Sequence, residues 1–199
     1  MTVRAQEPLE MSYEAFLEWA DEDTAAEWVS GKVILMSPPS DRHQDLADFL
    51  TALMRYFAEE YDLGKARSAA FQMKLATSGR EPDVLFVAKE NLDRIKKNRL
   101  IGPADLAVEI ISPESRKRDR HTKFLEYEQA GVKEYWLIDP ERERADFYRL
   151  DERGMYQAVR LDKSVFRSEV LRGLELDTVW LWQEPLPLLR HVLKVWGLI

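Results

Sequence analysis

The sequence predicts a mixed α/β (α+β) fold in which a central mixed β-sheet is flanked by helices. Three observations indicate it. Apolar residues recur at spacings of three and four between Asp41 and Tyr61, which is typical of an amphipathic helix. Short apolar runs at 83–87 and 105–111 are typical of buried strands. Between 105 and 139 the order is strand, helix, strand, which favours a right-handed parallel crossover.

Local signals predict the remaining elements. Ser12 is a good N-cap for a short helix from Tyr13 to Ala20. Gly64 is expected to stop the long helix, and Gly131 to end the helix of the crossover unit. The other predicted elements are a hairpin at 27–36 turning at 30–31, a strand at 66–75, a turn at 78–79, a helix at 115–130, strands at 132–139, 145–150 and 155–161, and a helix after 187.

The length and composition predict one domain, 1–199. Of the 199 residues, 45% are hydrophobic and 33% charged, enough apolar material for a sizeable core. Residues 1–10 are expected to be loose, and 180–199 to form a hydrophobic C-terminal extension. The absence of cysteine excludes disulfides and thiolate zinc sites. Without an 18-residue apolar stretch or an apolar signal core, no membrane partner is expected and a cytoplasmic protein is predicted.

The charge distribution bears on nucleic-acid binding. A net charge of −7 argues against coating nucleic acid by bulk electrostatics, although a local basic groove remains compatible with it. Four cations close together, Arg116, Lys117, Arg118 and Arg120, are candidate nucleic-acid-binding residues. The alternative is a solvated surface without a ligand.

Two carboxylates are candidate metal ligands. Asp83 begins an apolar strand after Pro82, so a turn role is the alternative. Glu109 interrupts the apolar run 106–111, where a glutamate is rarely buried unless it is paired or bound to metal; the alternative is a pair with arginine. On neighbouring strands, two bare carboxylates at about 4 Å would repel by about 1–4 kcal/mol, depending on the local dielectric. A divalent cation would remove that repulsion, and Mg²⁺ is typically held by one or two carboxylates.

A lysine on the following helix completes the candidate site. Lys123 lies within the apolar face of the predicted helix, and Asp119 precedes it by one turn. We interpret Lys123 as a group that stabilises phosphate charge or orients the attacking water, although its head could instead reach water. Tyr127 is expected in the core. His43 and Glu27 could support the same site or lie elsewhere, and Asp119 and Tyr127 are further candidates for a supporting role.

These motifs resemble the Uma2 family of endonucleases within the PD-(D/E)XK nuclease superfamily. The resemblance rests on Glu27 to Pro38 with His43, on Glu81-Pro82-Asp83-Val84, on 103–113, on Asp119, Lys123 and Tyr127, on 131–140, and on 173–176. It implies a restriction-endonuclease-like core, a divalent metal held by Asp83 and Glu109 (Mg²⁺, with Mn²⁺ as the alternative), and a homodimer. The superfamily normally carries lysine two residues after the second acid. Here that residue is Ile111, and Lys123 is the matching lysine.

Three functional hypotheses follow. The leading one is a divalent-metal-dependent endonuclease that hydrolyses DNA phosphodiester bonds. The alternative is a non-catalytic nucleic-acid-binding or regulatory module that retains the nuclease fold, suggested by Ile111 and the acidic balance. A third is an oligomeric scaffold, suggested by the hydrophobic C-terminal residues.

Overall fold

The computed structural model describes residues 9–21 and 24–199. These residues form two six-stranded sheets, a two-stranded ribbon and four α-helices. The helices are α1 (Tyr13–Trp19), α2 (Asp41–Glu60), α3 (Phe124–Ala130) and α4 (Leu189–Val195). The strands are β1 (Ala26–Val29), β2 (Lys32–Leu35), β3 (Gly64–Ser68), β4 (Gln72–Lys74), β5 (Ser78–Arg80), β6 (Val84–Ala88), β7 (Ile95–Lys96), β8 (Arg99–Ile101), β9 (Leu106–Ile110), β10 (Glu134–Asp139), β11 (Arg144–Leu150), β12 (Tyr156–Ala158), β13 (Val165–Arg167) and β14 (Glu175–Asp177).

The central sheet has the strand order β12-β11-β10-β9-β6-β3 and is mixed, as predicted. β9 and β10 pair in parallel, with Leu106 opposite Glu134, and the other pairs are antiparallel. Residues 105–139 therefore form the predicted crossover unit. Its helical part includes a π-helical stretch, Arg118–Lys123, and continues as α3.

Successive side chains of the central strands point to opposite faces of the sheet, so the sheet lies between two hydrophobic cores. Val84, Phe86 and Val108 pack in a core with the apolar side of α2. Leu85 and Ala107 belong to a second core, which includes Tyr127 and Tyr135 on the opposite side of the sheet. The helix α3, which carries Tyr127, therefore packs on the face of the central sheet opposite to α2.

A smaller sheet, with the order β2-β1-β5-β4-β8-β7, lies beside this second core. Its β1–β2 pair is the predicted hairpin, and Phe16 of α1 is buried with Ala26 and Val33. Two predictions fail in this region. The single strand 66–75 is in fact β3 and β4, which belong to different sheets, because the chain crosses between the sheets after Ser68.

The second failure is the turn predicted at Ser78-Gly79, which instead lies in β5. Gly79 pairs with Trp28 of β1, and a Cβ on Gly79 would stand 2.7 Å from the Gln72 side chain. The glycine therefore lies where two strands approach closely rather than in a turn. The chain reverses just before it, where Leu75 N donates to Ser78 O at 2.8 Å.

The C-terminal residues pack against the same core as α2. Trp180, Leu181 and Val192 are buried there, and the Trp196 ring lies 5.4 Å from that of Phe57. Most of the predicted hydrophobic extension is thus used within the chain. The predicted helix after 187 is α4, the predicted strand 155–161 is shorter, as β12, and β13 and β14 were not predicted. Residues 1–8 of the predicted loose N-terminus lie outside the described residues. Among the described helices, none is long and apolar enough to cross a membrane.

Candidate active site

Strand register brings the two predicted acids together. β6 and β9 pair antiparallel with Val84 opposite Val108, and continuing that register by one residue places Asp83 opposite Glu109. Side chains directly opposite in such a pair have Cβ atoms about 4.5–5.5 Å apart. The Asp83 carboxylate also accepts a hydrogen bond at Oδ2 from the backbone N–H of Ile110, at 2.6 Å. The acids of two strands thus meet at one edge of the site.

His43 holds the other oxygen of Asp83. Its Nε2 lies 2.9 Å from Asp83 Oδ1, and both side chains are partly exposed. His43 stands in the first turn of α2, where its N–H donates to the N-cap oxygen of Ser40 at 3.2 Å. Burial alone would lower the pKa of His43, but the hydrogen bond and charge of Asp83 raise it. Each oxygen of Asp83 therefore has a donor that fixes its orientation.

Glu109 is held from the helix side. Lys123 Nζ donates to its Oε2 at 2.8 Å, and the Tyr127 hydroxyl donates to its Oε1 at 2.7 Å. Lys123 and Tyr127 are one turn apart, so the helix presents both donors to one carboxylate. Tyr127 is in the core, as predicted, and its hydroxyl also reaches the site.

Lys123 lies within a group of three carboxylates. Its Nζ is 2.8 Å from Glu109, 3.0 Å from Glu27 and 3.8 Å from Asp119, and the lysine side chain is only 1% exposed. Burial alone would lower the pKa of Lys123, but these three carboxylates raise it. Lys123 is therefore a buried, charged group whose head does not reach water.

Glu27 connects this group to the small sheet. Its Oε2 lies 2.9 Å from Arg80 Nη1, and its Oε1 accepts the N–H of Glu81 at 3.1 Å. Arg80 is fully buried and donates also to Glu126, at 2.7 and 2.9 Å. Burial alone would raise the pKa of Glu27, but Lys123 and Arg80 lower it to about 2. Glu27 is consequently ionised.

Arg80 was missed in the sequence analysis. It follows Ser78 and Gly79, in a polar stretch with the composition of an exposed turn. Only the pairing of β5 with β1 and β4 turns its side chain into the interior. No signal in the sequence distinguishes it from a surface arginine.

The charges of the site leave an excess of carboxylate. Burial raises the pKa of Glu109 to about 8; Lys123 opposes this rise, whereas Asp119, Asp83 and Glu27 add to it. Burial also raises the pKa of Asp119, whose Oδ1 is buried without a hydrogen-bond partner. A divalent cation beside Asp83 and Glu109 would favour the ionised form of Glu109.

The donors at this edge fit a hard cation. Carboxylate oxygens are the protein ligands that Mg²⁺ prefers, and it commonly keeps several waters or phosphate oxygens. Within residues 9–21 and 24–199, no three Asp, Glu, His or Cys side chains are arranged to enclose a metal by themselves. Mg²⁺ held by Asp83 and Glu109 would therefore take its remaining ligands from water and substrate.

We use the name basic segment for residues 116–120. Two of its arginines have strong acidic partners: Arg116 lies 2.8 Å from Glu141, and Arg120 lies 2.8 Å from Asp146. Both also lie 3.5 Å from Asp139 Oδ2, which is buried without a hydrogen-bond partner. The segment thus carries less free positive charge than its sequence indicates.

The other two cations of the basic segment differ from these arginines. Arg118 Nε lies 3.8 Å from Asp119 Oδ1, and Lys117 is exposed.

Known proteins extend these observations. The chain matches the model of the Uma2 family, described as a putative restriction endonuclease, over residues 13–179. It is also similar in fold to a crystal structure of a putative nuclease belonging to DUF820 from Anabaena variabilis ATCC 29413, with 18% identity and a TM-score of 0.74. That match covers 86% of this chain and 97% of the other. No curated protein is similar to the chain in sequence. Since the family model matches most of its length, this chain belongs to the Uma2 family, whose description indicates a nuclease.

Proposed function

We propose that the protein is a Mg²⁺-dependent endonuclease that hydrolyses phosphodiester bonds of DNA. The observation that carries this proposal is the position of Asp83 opposite Glu109, with every carboxylate oxygen of the pair oriented by a donor. The family description supports the reaction class. Mn²⁺ would use the same oxygens as Mg²⁺.

Asp83 and Glu109 would hold the cation. When bound, a divalent ion would polarise the phosphate oxygens and lower the pKa of water, so that a hydroxide nucleophile is available near neutral pH. The protein's own contribution is orientation. His43 and the Ile110 N–H fix Asp83, and two buried donors on the helix fix Glu109.

Lys123 has a different role here from the one proposed from sequence. With 1% exposure and three carboxylates around it, its ammonium group is directed at Glu109 and Glu27 rather than at a phosphate. Lys123 therefore favours the ionised form of Glu109 and holds it in place. The side chains of Asp83 and His43 are 19% and 16% exposed, against 4% for Glu109, so substrate would approach from the Asp83 side.

The test is Mg²⁺ and Mn²⁺ titration by calorimetry, with a supercoiled-plasmid nicking assay on the same samples. We expect the wild-type protein to bind metal and nick DNA, and Glu109→Ala to lose both, because half of the protein's ligand set is removed. Asp83→Ala should behave in the same way. The matched control is Glu152→Ala, which removes an exposed carboxylate from the turn before β12 and should change neither result.

Two outcomes would contradict the proposal. Unchanged nicking by Glu109→Ala would show that cleavage occurs elsewhere or comes from a contaminant. A wild-type protein that binds DNA in a salt-sensitive manner but binds no metal would favour the non-catalytic nucleic-acid-binding module.

A further inference from the structure

The basic segment contains one arginine whose charge the protein does not neutralise closely. Arg116 and Arg120 each approach a carboxylate at 2.8 Å and share Asp139. For Arg118, the carboxylate contact among the described residues is Asp119, and the distance of 3.8 Å is too long for a hydrogen bond. Its Nε is buried without a hydrogen-bond partner, as are those of Arg116 and Arg120, so a ligand would be met by the outer nitrogens of the Arg118 side chain, which is 22% exposed. Arg118 therefore has donor capacity that a ligand could use.

Arg118 is also linked to the candidate metal ligand Glu109 through Asp119 and Lys123. Asp119 Oδ1 lies 3.8 Å from Arg118 Nε and 3.8 Å from Lys123 Nζ, and Lys123 bonds to Glu109. The Asp119 carboxylate thus lies between the Arg118 guanidinium and Lys123, which holds Glu109. Lys123 is 1% exposed, whereas the Arg118 side chain is 22% exposed. Arg118 is the more accessible of these two cations at the site.

The chemistry of guanidinium suits a phosphate at this position. Its planar fork donates two parallel hydrogen bonds to phosphate oxygens, and it stays charged at any pH compatible with folding. During hydrolysis, negative charge develops on the non-bridging oxygens, where such a donor is most effective. Arg118 would form no covalent bond and transfer no proton.

We propose that Arg118 is a catalytic residue that hydrogen-bonds the non-bridging oxygens of the scissile phosphate. The inference rests on the proposed endonuclease function and assigns to Arg118 the phosphate contact that the buried Lys123 does not make. Arg116 and Arg120 then serve to hold the basic segment against Asp139 rather than to contact substrate.

The experiment compares Arg118→Ala with two controls. Arg153→Ala removes an exposed arginine in the turn between β11 and β12, and Lys117→Ala removes the exposed cation next to Arg118. Nicking of supercoiled plasmid with Mg²⁺ is measured at saturating protein, and affinity for a short DNA duplex is measured with Ca²⁺. We expect Arg118→Ala to lower the saturated nicking rate by about 100-fold or more, the usual effect of removing one donor to the transition state.

The other variants sharpen the assignment. Arg153→Ala should nick like the wild-type protein, and Lys117→Ala should weaken DNA affinity with no change in the saturated rate. Arg118→Lys should recover only part of the rate, because it restores the charge without the fork. Circular dichroism monitors folding, and Arg118→Gln replaces Arg118→Ala if the alanine variant is unfolded.

Two results would overturn the inference, and they are distinguishable. If the Arg118 variants change only DNA affinity, as Lys117→Ala does, Arg118 is not catalytic and the proposed function stands. If the wild-type protein does not nick DNA with Mg²⁺ or Mn²⁺, the proposed function fails and the role of Arg118 fails with it.

Discussion

The two faces of β9 are equally buried and chemically opposite. Leu106, Val108 and Ile110 face α2 among apolar side chains, and a buried carboxylate next to them, Glu134 of β10, accepts a hydrogen bond from Trp136 Nε1. On the other face, Glu109 lies between Ala107 and Ile111 and bonds to two helical donors. Apolar packing is non-directional and roughly proportional to buried area. A buried carboxylate requires particular partners at hydrogen-bond distance, because its charge is otherwise very costly. Apolar packing on the α2 face thus stabilises the fold, and part of that free energy offsets the cost of burying charges on the α3 face.

This difference explains why we do not expect the charged face to be a net source of stability. Desolvation of buried ion pairs can exceed their attraction, whereas removing one partner leaves an uncompensated charge. The apolar side chains of the α2 face have no such requirement, and the cost of shortening one of them follows the volume removed.

The largest predicted effect is on the charged face, at Arg80. Arg80→Met would leave Glu27 and Glu126 without their shared cation, and we expect the free energy of unfolding to fall by about 3–5 kcal/mol. Urea denaturation measures it, since urea does not screen charge. Arg80→Lys, which keeps a charge, should lose less. A loss below about 1 kcal/mol for Arg80→Met would show that the network is weakly coupled to folding.

The next effect is on the apolar face, at Leu106. Leu106→Ala should lower the free energy of unfolding by about 2–5 kcal/mol, because it opens a cavity in the core packed on α2. Metal affinity measured by calorimetry should be unchanged in the folded variant. A large loss of metal affinity would contradict the separation of the two faces.

The smallest effect is expected at Tyr127. Tyr127→Phe keeps the ring in the core but removes the donor to Glu109 Oε1, which should cost about 1–3 kcal/mol of folding free energy. Metal affinity should fall by about 10-fold, the lower end of the usual effect of a group that orients a ligand. Unfolding in urea and calorimetry on the same sample separate the two quantities; an unchanged affinity would show that Lys123 alone suffices to orient Glu109.

Much of the fold follows from sequence because its signals are local. The period of α2, the apolar runs of β6 and β9, and the crossover unit were all predicted, and each depends on residues close together in the chain. The inward position of Lys123 follows from helical spacing alone. The pairing of β6 with β9 does not follow from local spacing. The closeness of Asp83 and Glu109 could therefore be expected only from the family resemblance, or on the assumption that their two strands are neighbours.

The parts that failed depend on contacts between distant segments. Gly79 lies where β5 passes close to the Gln72 side chain, and a glycine in a polar stretch is otherwise typical of a turn. The strand predicted at 66–75 has no glycine or proline to mark its crossing between sheets. Arg80 is buried only because the small sheet presents it to Glu27 and Glu126, which lie 53 and 46 residues away in sequence.

The chain Glu126–Arg80–Glu27–Lys123–Glu109 also restricts how this protein can diverge. Two of its charges belong to the small sheet and three to the crossover unit of the central sheet. If either sheet were replaced by an unrelated one, a buried charge in the other would lose its partner. A single substitution at one of these positions would therefore leave a buried charge without its partner, and a second substitution at that partner is expected to restore part of the lost stability.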